Sequence, residues 1–118
     1  MQNDNRAALE NVCQRIDDDL EQRPAIRAAG LDALQNLTRV ALQDSGQSSV
    51  VGRFLLGLYN GSEYRFDLTD FRLLDGELFD DCLALLRMDN QPEREVHEHL
   101  VDGAAIFAKL RQRYGNGR

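Results

Sequence analysis

His97 and His99, flanked by Glu95 and Glu98, form the only cluster in this chain with metal-ligand chemistry. On a strand, residues two apart share a face and the two imidazoles can chelate Zn or Ni; on an α-helix they point roughly 200° apart and cannot. A structural site needs two more ligands, which Cys82 or Asp81 would have to supply. The bland alternative, one imidazole beside the core and the other solvated, outweighs the metal reading. No cofactor is expected.

Carboxylates come in runs at Asp17, Asp18 and Asp19, at Asp80 and Asp81, and along Asp67, Asp70 and Asp75. General acid-base work needs two carboxyls converging on one cleft, with burial shifting at least one of them. Neighbours on a helix diverge by about 100°, so Asp80 and Asp81 cannot both point inward. Asp70 and Asp75 are accounted for as helix-start residues. Ser45, Ser48 and Ser49 have no base beside them, and SGQSSVVGR fails as a phosphate loop because five residues separate Gly46 from Gly52 and Arg53 and Phe54 follow. No catalytic residue is assigned, and the chain is read as a non-enzyme.

Tyr59, Tyr64, Phe66 and Phe71, interleaved with Arg53, Arg65 and Arg72, are residue types that stack on nucleotide bases. Glu63, Asp67, Asp70 and Asp75 among them repel phosphates. The net charge of −6 argues the same way, since non-specific nucleic-acid binding depends on neutralising phosphates with Lys and Arg. Thirteen Arg stand against a single Lys, Lys109, which suits bidentate pairing with carboxylates or simply reflects genome composition. The aromatics are read as closing the core under a connector with Arg to Asp pairs outside.

These groups must be held by helices. Leu9, Val12, Cys13, Ile16 and Leu20 recur at helical spacing and predict a helix from about 5 to 21. Pro24 reads as a helix start. After Gly30, Leu31, Leu34, Leu37 and Ala41 mark a second helix ending near Asp44, with Gly46 as a left-handed cap. Ser48 or Ser49 caps a helix carrying Val51, Phe54, Leu55, Leu58 and Tyr59, in which Gly52 and Gly57 require a close packing neighbour. Tyr64, Phe66 and Leu68 alternate with charged residues, a strand pattern whose sole available partner is about 94–100; there REVHEHL fits either period. Thr69 and Asp70 open a short turn, Asp75 caps a helix bearing Leu78, Phe79, Cys82, Leu85 and Leu86, and Asp102 caps a last one bearing Ile106, Phe107, Leu110 and Tyr114.

The expected fold is therefore mainly α, a compact bundle of about five to six helices in one domain over 1–118, with a short two-stranded element at about 63–68 with 94–100 as an option. It divides into an N-terminal helical pair (5–44) and a core (46–114). Cys13 and Cys82 each fall on an apolar stripe and are expected to be buried free thiols. No apolar run approaches the ~20 residues of a membrane span, and the first residues lack a secretory pattern, so a cytoplasmic location and no membrane contact are expected.

RFLLGLYNG (53–61), FDLTDFRLLD (66–75), LFDDCLALLRMD (78–89) and EVHEHL (95–100) together resemble a proteobacterial family, grouped as a domain of unknown function, whose members accompany integrative conjugative elements, plasmids and prophages. The resemblance covers about Gly46 to Tyr114; Arg65 stands where a proline is expected, and the N-terminal helices look like an addition. It brings no activity or catalytic residue and implies a mobile-element accessory protein that binds another macromolecule.

The leading expectation is thus a small non-catalytic protein acting through protein contacts, with Arg53, Arg65, Arg72, Asp67, Asp70, Asp17, Asp18 and Asp19 as interaction candidates. Homodimerisation through the Leu9 to Leu20 stripe is one use of that face, though packing on its own domain is the simpler one. Two alternatives stand beside it: an inhibitor of a host nucleic-acid-processing complex whose carboxylates imitate phosphate, and a metal-dependent enzyme built on His97 and His99.

Overall fold

The computed structural model describes residues 2–116, with side chains described for 5–16 and 20–116. Its elements are α1 (Gln2–Ala41), α2 (Ser48–Tyr59), a 3-10 helix (Leu68–Leu73), α3 (Gly76–Asp89), a second 3-10 helix (Val96–His99) and α4 (Gly103–Tyr114). Among the described residues there is no strand. The mainly α bundle of five to six helices is what is found, and the optional strand pair is not. Residues 63–67 form a turn and an irregular extension, and 96–99 wind into a 3-10 turn closed by a reciprocal cap between Glu95 and Glu98.

The expected pair of N-terminal helices is one helix. Pro24 lies inside α1, where it removes one backbone donor, yet it is exposed, so water can satisfy the freed carbonyl. On either side the helix is anchored: Arg23 donates to the carbonyls of Met88 (2.9 Å) and Gln91, and Arg27 pairs with Glu93 at 2.6 Å. Gly30 does not end a helix either. A Cβ there would stand 2.5 Å from Cβ of Met88, so glycine is what lets α3 cross α1 this closely.

From Gly30 onward α1 is core. Ala33, Leu34, Leu37, Val40 and Ala41 pack against α2 and α3, which bury Val51, Phe54, Leu55, Leu56, Leu78, Cys82, Leu85 and Met88. α4 lies across α2 and contributes Phe107 and Leu110. Gly52 has the packing reason its position demanded, because a Cβ there would enter the ring of Tyr114. Gly57 faces Phe66 and the Tyr64 carbonyl of the connector instead of another helix.

Helix ends follow the expected chemistry in part. Asp75 caps α3 by accepting from the Leu78 amide at 2.8 Å. Ser48 is the first residue of α2 rather than its cap, and its hydroxyl accepts from the Ser45 amide at 3.0 Å. Asp102 flanks α4 without a side-chain cap bond. No described glycine has a positive φ, so the left-handed cap at Gly46 is absent. The end of α1 is closed from α4: Arg113 donates to the carbonyls of Leu42 and Gln43 at 2.9 and 3.0 Å, and the Tyr114 hydroxyl to Ala41 at 2.7 Å.

N-terminal to Arg23, α1 leaves the bundle. Leu9, Val12, Ile16 and Leu20 are 67%, 51%, 54% and 68% exposed, and Cys13 is exposed. The stripe expected to pack on its own domain does not. The molecule measures 57 × 30 × 27 Å, and its radius of gyration of 17.0 Å exceeds the ~13–14 Å of a compact chain of this length. A projecting helical arm accounts for both.

Candidate functional site

The connector brings some of the interaction candidates together. Arg53, on α2, reaches Asp70 of the first 3-10 helix at 3.3 Å, both side chains about one-fifth exposed. Its Nε is buried and makes no hydrogen bond among the described residues. Arg53 and Arg65 line one cleft of about 300 Å³ with Leu56, Glu63, Tyr64 and Tyr114. Desolvation, followed by the neighbouring Glu63, pushes the Tyr64 phenol up. Two guanidiniums and a phenol form a donor-rich wall, but Glu63 stands in the same wall and opposes an anion.

Arg72 points elsewhere, exposed on the 3-10 helix between Leu68 and Leu73, themselves 73% and 62% exposed. The strand pattern would set Leu68 on one face with Tyr64 and Phe66; the absence of a strand among the described residues removes that alternation. Asp67 is exposed and accepts from the Thr69 hydroxyl at 3.4 Å. The aromatics behave as expected, closing the core: Phe54, Phe66, Phe71 and Phe79 form a chain of ring contacts with centroids 4.9–5.6 Å apart. The side chains of Asp17, Asp18 and Asp19 lie outside the described residues. Asp81 is committed to Asn36, whose amide donates to it at 2.6 Å.

His97 and His99 diverge. On a 3-10 turn, residues two apart are separated by about 240°, and no strand restores a common face. His97 is edge-on to Tyr59 with centroids 5.1 Å apart and close to Phe107 at 6.2 Å, its Nδ1 buried without a hydrogen-bond partner among the described residues. Tyr59 in turn stacks on Phe107 at 5.2 Å and accepts from Arg111 at 2.8 Å. Among the described residues no three His, Cys, Asp or Glu side chains gather as a metal site. One histidine beside the core is what the chain builds.

The end of α3 is electrostatically strained. Burial, then Glu95, pushes the Asp89 carboxyl up, with His99 pulling the other way. The carboxylate also sits in the last turn of α3, against the negative end of the helix. A raised carboxyl contributes stability only on the acid side and loses it as pH rises through its folded value. Asp89→Asn is therefore expected to raise the melting temperature at pH 7, with about 0.5 kcal/mol from the helix end alone, and the gain should vanish as the pH is lowered through the carboxylate range.

The two cysteines separate. Cys82 is buried, and desolvation, then Asp81, pushes its thiol up to about 12, so it is neither ionised nor reachable at neutral pH. Cys13, expected to be buried, is exposed because its stripe has no cover among the described residues. In dilute native protein a maleimide should label one thiol per chain quickly, at Cys13, and the second only on unfolding; mass spectrometry of the labelled peptides reads both.

A match to a known family covers one part of this molecule. A family of unknown function, DUF7673, matches residues 31–115. The chain belongs to the DUF7673 family. The DUF7673 region begins at Leu31, beside the Gly30 crossing, and takes in the last quarter of α1 together with α2, α3 and α4. The arm bearing Leu9 to Leu20 precedes it. No curated protein and no solved structure matches the chain. Among the described residues no helix is long and apolar enough to cross a membrane.

The arm is the surface that periodicity alone placed wrongly. Its pattern is visible in the sequence, but an apolar helical stripe reads the same whether it is covered by its own domain or by another molecule.

Proposed function

We propose that this DUF7673 protein is a non-catalytic binding protein that acts through protein contacts made by the projecting half of α1. The observation that carries this reading is the stripe of Leu9, Val12, Ile16 and Leu20, each at least half exposed on a helix outside the core. Exposed apolar patches of this kind on soluble proteins mark interaction sites. The binding chemistry is a helix presenting i, i+3, i+4 and i+7 anchors to an apolar counterpart. The mobile-element accessory role that the resemblance over about Gly46 to Tyr114 implies would fit such binding, and two free thiols suit a reducing cytoplasm.

Capture experiments with tagged wild type and with the triple variant Leu9→Ser, Ile16→Ser, Leu20→Ser test the reading. Contacts carried by the stripe should disappear from the variant while its circular dichroism melt stays that of the wild type. Equal recovery of every bound protein by both would remove the arm from the account. The phosphate-mimic alternative gains nothing from the described surface, since Arg15 and Arg23 flank the acidic run in sequence and Asp81 is occupied by Asn36.

A further inference from the structure

We infer that the arm pairs antiparallel with the arm of a second copy of this chain; the inference rests on the binding role proposed above and names its partner. Leu9, Cys13, Ile16 and Leu20 occupy one seam of alternating four- and three-residue steps. Three heptads further along the same helix the seam positions are Gly30, Leu34, Leu37 and Ala41, all buried within the bundle. Allowing for the roughly 60° that three heptads drift along an α-helix, the exposed stripe lies beside the line of a face that the bundle already covers. Cover by α3 ends where Met88 lies on Gly30 and Arg23 reaches the carbonyls of Met88 and Gln91. A helix laid antiparallel on the arm extends the α3 layer toward the tip.

The arm of a second copy fits that place. In antiparallel register Leu9 meets Leu20 and Cys13 meets Ile16, in both directions, so each seam residue has an apolar counterpart. The same register brings Arg6, exposed and paired with Glu10 at 3.7 Å, level with the end of α3, where Asp89 and Glu95 lie close together. A parallel pair would set Arg6 against Arg6 and the Asp17 to Asp19 run against its copy. Two like-charge approaches remain, Glu10 near the acidic run and Arg6 opposite Arg23, the latter offset because Arg23 lies 3.7 Å from Glu93. From Leu9 to Leu20 the seam is only about 17 Å long. That places the contact at the small end of specific interfaces, about 1,200 Å² or less, and the dissociation constant on the order of tens of micromolar.

Sedimentation equilibrium of the full chain from about 1 to about 500 μM tests it, with wild type beside Ile16→Asp, and Ile16→Cys under mild diamide oxidation for orientation. Wild type should pass from one to two chain masses across that range, and Ile16→Asp should stay monomeric with an unchanged melt. Ile16→Cys should give a covalent dimer linked between Cys13 of one copy and the introduced thiol of the other, mapped by mass spectrometry. A wild type monomeric at every concentration overturns the second copy as partner. If arm substitution then still abolishes capture of other proteins, the binding role survives; if it does not, both fall. Exclusive linkage between like positions overturns the antiparallel register.

Discussion

Phe107→Ala should be the most damaging single truncation in the chain, costing about 3–5 kcal/mol. Phe107 is fully buried and is the largest such side chain. Its ring stacks on Tyr59 of α2 with centroids 5.2 Å apart and lies close to His97 of the second 3-10 helix. One side chain therefore ties α4 to two other elements, and its loss leaves a void the rigid neighbours cannot close. Urea unfolding should show a lower midpoint with an unchanged slope, and a melting temperature lower by on the order of 15 °C. Phe107→Leu, which keeps most of the volume, should lose far less.

Gly103→Ala should be nearly as severe, about 3 kcal/mol or more. Gly103 begins α4, and a Cβ there would collide with the backbone carbonyl oxygen of His97. Backbone cannot rotate away as a side-chain tip can, so α4 or the 3-10 turn must shift. Gly76 gives the matched control: it too follows an Asp and begins a helix, but a Cβ there meets nothing within 4 Å. Gly76→Ala is expected to stabilise by about 0.5–1 kcal/mol through helix propensity and a stiffer unfolded chain. Opposite signs for the same substitution at equivalent helix positions, read by chemical denaturation, isolate the steric term.

Much of the bundle was legible because local signals and tertiary packing agree. In α3 the period of Leu78, Cys82 and Leu85 coincides with the buried face, and Asp75 accepts the amide its position promises. Pro24 and Gly30 misled because their usual meaning is punctuation. In the folded chain Pro24 sits where water can serve the freed carbonyl, and Gly30 sits where Met88 crosses, neither of which a single sequence displays. The strand pattern at 63–68 failed for want of a partner: 96–99 close on themselves through Glu95 and Glu98, leaving no edge to pair with.

The candidate surfaces divide in the same way. Arg53 with Asp70 and Arg53 with Arg65 in one cleft were within reach of residue types and spacing. That Arg72 turns outward beside Leu68 and Leu73 depends on the path of a connector without regular structure, which periodicity does not encode. The arm shows the deepest limit. Its stripe is as regular as a core stripe, and only the end of α3 near Arg23 reveals that no described element lies on it.

The most direct test of the central claim, that the Leu9 to Leu20 face belongs to contacts outside the chain's own core, is the thermal melt of the Leu9→Ser, Ile16→Ser, Leu20→Ser variant at about 1 μM, below the expected dissociation constant. Three buried leucine-class truncations would together cost on the order of 6 kcal/mol or more, whereas three half-exposed ones on a projecting helix should move the melting of the bundle by no more than a degree or two. A variant that melts with the wild type is the expected result. A drop of ten degrees or more in the monomer would show that the stripe packs on its own domain, and would contradict the account.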